Sequence, residues 1–105
     1  MKRALAFIQQ NYERTFALIE IASSVGASKN YLSQIFHEEM GMPLWDYLNR
    51  YRVYKAKELL LTTRLPITEI ALRVGFEDFS YFGRVFNKYS GCSPRNFRQQ
   101  SRPAG

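Results

Sequence analysis

The sequence has very few side chains that could build a disulfide, a metal centre or a catalytic site. Its 105 residues include one cysteine, Cys92, and one histidine, His37. A single cysteine forms no intrachain disulfide and no cysteine metal cluster. The sequence also contains no Ser-His-Asp set, no carboxylate pair with a pocket and no glycine loop suited to phosphates. We therefore expect no metal, no cofactor and no catalytic residue.

Long hydrophobic runs are missing as well. No apolar run approaches the ~18–20 residues of a membrane span, and the apolar stretch after Met1-Lys2-Arg3 is too short for a signal peptide. We therefore expect a cytoplasmic protein without a membrane partner. Only residues 101–105 resemble a linker, and we expect this tail to be disordered.

Acidic side chains are scarce in the second half of the chain. The formal net charge is +6 and the isoelectric point is about 9.7, which together favour an anionic partner. Residues 1–47 contain 4 basic and 5 acidic side chains, a net charge of −1. Residues 48–105 contain 11 basic and 4 acidic side chains, a net charge of +7. We expect the second half to supply most of the attraction to phosphates.

A motif of seven residues occurs twice. The pattern E-I-A-x-x-V-G covers residues 20–26 and returns at residues 69–75, an offset of 49. The segments that follow match at an offset of 50, and three pairs mark the match: Tyr31 with Tyr81, Phe36 with Phe86 and Gly41 with Gly91. A short apolar helix, a glycine turn and a second amphipathic helix are typical of a helix-turn-helix. Two such units in one basic chain indicate a protein that reads DNA at two adjacent places.

The spacing of apolar residues predicts an all-α fold with about seven helices. Glycine, proline and short polar residues mark the ends of these helices. The predicted helices are Lys2–Glu13, Leu18–Ser24, Ser28–Met40, Leu44–Leu61, Pro66–Val74, Asp78–Ser90 and Pro94–Gln100. The predicted segments are a first helix-turn-helix unit (1–42), a connecting helix (43–62), a second helix-turn-helix unit (63–100) and the tail (101–105).

The connecting helix carries apolar side chains around a wide arc. They are Leu44, Tyr47, Leu48, Tyr51, Tyr54, Leu59 and Leu60. That width predicts contact with both units and a rather fixed spacing between them. Within the units, the repeat places Phe36 and Phe86 at equivalent inward positions.

The second helix of each unit is expected to turn a mostly polar face outward. In the first unit these side chains are Lys29, Asn30, Ser33, Gln34 and His37. In the second unit they are Phe79, Ser80, Gly83, Arg84 and Asn87. This helix of a helix-turn-helix enters the major groove, where such groups can bond to base edges or phosphates. A solvated face is the competing interpretation.

Two kinds of DNA contact are predicted from these faces and from the basic residues beside them. The residues predicted to read bases are Asn30, Ser33, Gln34, Phe79, Ser80, Gly83 and Arg84. The residues predicted to contact phosphates are Lys29, His37, Asn87, Lys88, Arg95 and Arg98. Gly83 indicates either the close approach of a partner or a packing requirement, because glycine costs about 1 kcal/mol against alanine in a helix. Phe79 could contact a thymine methyl group or fold back onto the start of its helix.

Three segments resemble the DNA-binding domain of the AraC/XylS family of bacterial transcription regulators. They are residues 28–36, residues 75–86 and residues 91–98, and the last resembles the family pattern G-x-S-P-x-x-Y/F-R. Residues 44–61 resemble the subgroup that is fused to response-regulator receivers. The resemblance covers roughly residues 3–99. Two positions depart from the family: Phe79 stands where a polar residue or proline is frequent, and Gly83 has no side chain to read with.

The resemblance implies seven helices, two helix-turn-helix units and base contacts at the seven positions named above. It implies sequence-specific binding of double-stranded DNA for transcription regulation, without catalysis. Two recognition helices would enter successive major-groove segments, about 34 Å apart. The further partners it implies are RNA polymerase and a separate sensing or receiver domain in a longer protein. A helical protein-interaction module is the alternative, and the near-neutral first unit is its best support.

Overall fold

Seven α-helices make up the described part of the chain. The computed structural model describes residues 1–101, and no strand occurs in that range. The helices are α1 (Lys2–Asn11), α2 (Leu18–Val25), α3 (Lys29–Met40), α4 (Leu44–Thr62), α5 (Ile67–Arg73), α6 (Phe79–Ser90) and α7 (Pro94–Ser101). The all-α prediction is confirmed, and the helix ends differ from the predicted ends by at most two residues.

The chain forms two compact units, and their boundary lies inside the long helix α4. The first unit contains residues 1–51, and the second begins at Arg52. The first half of α4 contributes Leu44 and Leu48 to the core of the first unit. The predicted division into two units and a separate connecting segment stays a prediction. The two compact units divide α4 between them, one half of the helix with each unit.

The core of the first unit draws on all four of its helices. The buried residues are Ala4, Ile8, Phe16, Ile21, Ala22, Leu32, Phe36, Leu44 and Leu48. Phe16 precedes α2, and its ring packs edge-on against the ring of Phe7 at 5.1 Å. Aromatic pairs of this kind add to the energy of area burial, so Phe16 fixes the connection between α1 and α2.

Both helix-turn-helix turns follow from the same local chemistry. Gly26 and Gly75 have positive φ angles of 71° and 105°, a region that glycine enters without steric cost. The next helix then begins at a side chain that accepts a hydrogen bond from the backbone. Ser28 Oγ accepts from the N–H of Tyr31 (3.2 Å), and Asp78 Oδ1 accepts from the N–H of Tyr81 (3.1 Å). Each cap satisfies one of the unpaired N–H groups at a helix start.

A chain of phenylalanine rings runs through the second unit. Phe76 and Phe82 lie 5.1 Å apart between ring centres, Phe82 and Phe86 lie 5.8 Å apart, and Phe86 and Phe97 lie 5.7 Å apart. These contacts join the turn, α6 and α7. Phe82 and Phe86 have no exposed surface, which confirms the inward face predicted for α6.

The second half of α4 leaves one of the listed apolar positions on the surface. The side chain of Tyr54 is 55% exposed, whereas Val53, Ala56 and Leu60 are buried. Positions three and four apart share one face of a helix, and Tyr54 is rotated by about 100° from Val53. The aromatic residue therefore lies on the surface.

The two ends of the described chain also need adjustment. Helix α1 stops at Asn11, two residues before the predicted end, because the chain turns there and Arg14 N–H donates to the Asn11 carbonyl (3.1 Å). Ser101 is the last residue of α7 rather than part of the predicted tail. The rest of that tail, residues 102–105, lies outside the described residues. Within residues 1–101, none of the helices combines the length and hydropathy that a membrane crossing requires.

Candidate nucleic-acid interface

Helix α3 presents five predicted contact residues on its exposed side. They are Lys29, Asn30, Ser33, Gln34 and His37. Leu32 and Phe36, on the opposite side, are buried, and the Ser28 cap fixes where the helix starts. The predicted outward face of α3 is therefore confirmed as exposed, whereas its contacts with DNA stay predictions.

Gln34, one of the three base-reading candidates of α3, has a partner within its own helix. Gln34 Nε2 donates to Glu38 Oε1 at 3.2 Å, one helical turn later. This bond orients the amide so that Gln34 Oε1 is the atom offered to an outside donor. In the major groove the amino groups of adenine and cytosine are such donors. Glu38 itself is exposed and adds a negative charge to this face.

Helix α6 presents the second predicted face. Phe79, Ser80, Arg84 and Asn87 are exposed and Gly83 is half-buried. Three inward residues hold the helix, since Phe82, Val85 and Phe86 are buried. Arg84 is the one arginine among the ten residues predicted for the two outward faces. Its guanidinium carbon lies 5.9 Å from the ring centre of Tyr81, a residue that the sequence predictions left out of the site.

Gly83 has no packing partner that would explain a glycine. A Cβ built on Gly83 meets no heavy atom of the described chain within 4 Å, apart from its own neighbours and helix backbone. Nor does Gly83 occur among the glycines with positive φ in that part of the chain. The packing explanation that the sequence left open is therefore not supported. Close approach of an outside partner stays a prediction.

Phe79 packs against the start of its helix, as one of the two sequence interpretations expects, and its contact with a thymine methyl group stays a prediction. Its ring centre lies 6.3 Å from that of Phe82, one turn further along α6. The side chain nevertheless stays 49% exposed. The inward part of the ring helps to fix the start of α6, and the outward part adds an apolar surface to the reading face.

Five of the six predicted phosphate contacts lie on the surface. Lys29 and His37 are exposed on α3, Asn87 and Lys88 are exposed on α6, and Arg95 is exposed on α7. Each of these side chains can reach an outside anion. Their contact with phosphates stays a prediction.

Arg98, the sixth, has a different role in the structure. Its guanidinium group donates three hydrogen bonds to backbone carbonyls, to Leu60 (3.1 Å), Leu65 (2.8 Å) and Thr63 (3.3 Å). The last carbonyls of a helix have no partner within the helix, and Arg98 satisfies that of Leu60 in the last turn of α4, whereas Thr63 and Leu65 lie beyond the end of that helix. A guanidinium group has five N–H donors, so these three bonds give Arg98 a structural role, and its contact with phosphates stays a prediction.

Within residues 1–101 there is no group of three or more His, Cys, Asp or Glu side chains that could hold a metal ion. Cys92 is half-buried.

The ion pairs Arg14–Glu20 (3.2 Å) and Glu69–Arg73 (3.1 Å) are exposed surface pairs. Glu20 also accepts from the N–H of Ala17 at the start of α2, and this bond is the main cause that lowers the pKa of Glu20.

Comparison with known proteins identifies the family. Residues 21–100 match the family model described as a helix-turn-helix domain. The arabinose operon regulatory protein of Escherichia coli K12 is 38% identical over 86 residues, which are 82% of this chain. The transcriptional activator RhaR of Klebsiella pneumoniae is 36% identical over 104 residues, or 99% of this chain. The chain belongs to the AraC/XylS family of transcription regulators.

A solved structure with a similar sequence confirms the fold. The C-terminal domain of AraT, a response regulator from Geobacillus stearothermophilus, is 36% identical with a TM-score of 0.91. That similarity covers 98% of this chain and 86% of the AraT chain. In contrast, this chain spans 30% of the arabinose regulator and 37% of RhaR. The similarity therefore concerns one domain of those longer regulators.

Proposed function

We propose that this chain is the DNA-binding part of a transcription regulator and binds specific double-stranded DNA. Helices α3 and α6 would enter successive segments of the major groove. One observation carries the proposal: two equivalent helices, each capped after a glycine turn, present exposed polar faces from a packed core. The named relatives are transcription regulators, which supports the same conclusion.

The two faces would contribute differently. Arg84 suits a bidentate contact with guanine O6 and N7, and Gln34 suits an adenine or cytosine amino group. At offset 50 in the repeat, Glu38 of α3 is replaced by Lys88 of α6. The second unit would therefore supply most of the phosphate attraction, with Lys88 and Arg95 as its main contacts.

The finer parts of the proposal concern partners and location. Reading DNA needs no catalysis and no cofactor, so the chain would act without either. AraT is a response regulator and RhaR is a transcriptional activator. By analogy, a receiver or sensing domain in a longer protein and RNA polymerase would be the further partners. Such a regulator would work in the cytoplasm.

The proposal is tested by selecting bound sites from a pool of random duplexes with the 105-residue chain. Arg84→Ala should then cost about 1–3 kcal/mol on the selected duplex and relax the preference at one base pair. Lys88→Ala is the matched control on the same helix. It should weaken the selected and the random duplex alike and lower the salt slope by about one.

Two outcomes would contradict the proposal. Binding to random duplex that does not change between low and physiological salt would exclude a nucleic-acid partner and favour the protein-interaction module. If selection enriches no site, the specificity is absent. Equal losses on both duplexes for Arg84→Ala would mean that Arg84 contacts only the backbone.

A further inference from the structure

Tyr81 lies beside the guanidinium group of Arg84. The two residues are three positions apart on α6, a spacing that makes side chains neighbours on a helix. The distance of 5.9 Å from the guanidinium carbon to the ring centre is within the range of a cation–π interaction. The Tyr81 side chain is 43% exposed. It therefore belongs to the outward surface of α6 and is not a core residue.

The Tyr81 ring has fixed neighbours of its own. Its ring centre lies 6.0 Å from that of Phe76, which is buried in the turn before α6. The guanidinium carbon of Arg52, on α4, lies 5.6 Å from the centre of the same Phe76 ring. Burial lowers the pKa of Arg52, and the nearby Glu77 carboxylate and Tyr81 hydroxyl oppose that shift. Tyr81 thus packs against Phe76, a ring buried in the turn, and this contact limits where the ring that faces Arg84 can lie.

We propose that Tyr81 is a positioning residue that holds the Arg84 guanidinium ready to meet a base. The proposal rests on the proposed function, in which Arg84 reads DNA. An arginine that is ordered before binding loses less conformational entropy when it binds. The gain in affinity should appear on the specific DNA site, because a bidentate contact with guanine requires one orientation of the guanidinium group. A contact with a phosphate positions the protein without reading sequence, so random duplex should be unaffected.

The first unit provides a matched control. Tyr31 and Gln34 occupy the repeat positions of Tyr81 and Arg84, and the backbone N–H of Tyr31 donates to its helix cap in the same way. Gln34 carries no charge that a ring could attract, and it is oriented by Glu38 instead. Tyr31→Leu therefore removes an equivalent ring without removing a cation–π contact.

The contact itself is tested on the free protein by NMR. The side-chain protons of Arg84 should show a ring-current shift in the parent and in Tyr81→Phe, and lose it in Tyr81→Leu. Tyr31→Leu should leave these protons unchanged. An Arg84 side chain whose shifts do not respond to Tyr81→Leu would overturn the proposal. This measurement does not involve DNA, so its result is independent of the proposed function.

The consequence is tested on a duplex selected by the parent and on random duplex. Tyr81→Leu should weaken the selected duplex about 2–5-fold, the factor expected of an exposed cation–π interaction, and leave random duplex unchanged. Tyr81→Phe should keep the parent affinity, and Tyr81→Leu should have no further effect in the Arg84→Ala background. Equal weakening of both duplexes, or an undiminished effect in that background, would overturn the proposal.

Two controls separate the causes. If the parent binds the selected duplex no more tightly than random duplex, the proposed function is contradicted. The NMR shift would still report the contact between Tyr81 and Arg84. Thermal melting checks that each variant is folded. If the Tyr81→Leu variant melts at a lower temperature than the parent, Tyr81→Gln replaces it in the experiment, because glutamine also lacks the ring.

Discussion

Replacing Arg98 with alanine should destabilise the second unit. The guanidinium group bonds to the carbonyls of Leu60, Thr63 and Leu65, which are 38, 35 and 33 residues away in the chain. These bonds tie α7 to the end of α4 and to the segment that leads into α5. Their loss leaves three carbonyls without their charged donor.

The size of the effect follows from the geometry. A hydrogen bond with a charged partner contributes about 1.5–3 kcal/mol. Arg98 is half-buried, and water would replace part of what is lost, so we expect about 2–4 kcal/mol for the three bonds together. One kcal/mol corresponds to about 4–8 °C in a domain of this size. The melting temperature should therefore fall by roughly 8–32 °C.

Thermal melting by circular dichroism measures this, and Arg95→Ala is the control. Arg95 lies on the same helix and loses the same charge, but it is exposed. Its replacement should change the stability by less than about 0.5 kcal/mol and lower the salt slope of DNA binding by about 0.9. If Arg98→Ala melted like the parent and lowered the salt slope instead, Arg98 would act as a phosphate contact and the structural role assigned to it would be wrong.

Four further substitutions test the faces of α3 and α6. Phe36→Ala or Phe86→Ala should each cost about 3–5 kcal/mol, because neither ring has exposed surface; an unchanged denaturation midpoint would contradict the assigned faces. Gly83→Ala should raise the stability by about 1 kcal/mol yet weaken the selected duplex, and unchanged affinity would mean that nothing approaches Gly83. Glu38→Lys should steepen the salt slope by about 0.9, and an unaltered slope would place this end of α3 away from phosphates.

The helices and turns were predictable because local chemistry decides them. Ser28 and Asp78 have the short polar side chains that accept from a backbone N–H at a helix start. Gly26 tolerates the left-handed conformation at a helix end. These preferences act over three or four residues, so the local sequence is sufficient to predict where each of these helices begins or ends. The buried faces of α3 and α6 were predictable for the same reason, since helical period alone determines them.

Contacts between distant segments could not be predicted in this way. A count of charges treats Arg98 and Arg95 alike, although the first bonds to carbonyls more than thirty residues away. Tyr54 has an apolar ring, but the wider packing of α4 buries Val53 and Ala56 instead. The repeat did mark Tyr81, yet its contact with Arg84 depends on the side-chain conformations of both residues.

The two units share their inward residues but differ in their outward ones. Phe36 and Phe86 are repeat partners and both are fully buried, so the repeat preserves the scaffold. On the outward face, however, an amide of the first unit, Gln34, corresponds to a guanidinium of the second, Arg84. Packing constrains the first pair, whereas the second pair lies on exposed faces that the packing of the core leaves open. Under the proposed function, two helices with unlike faces would read unlike base pairs, so a duplex selected by this chain should contain two different half-sites and not a repeated one.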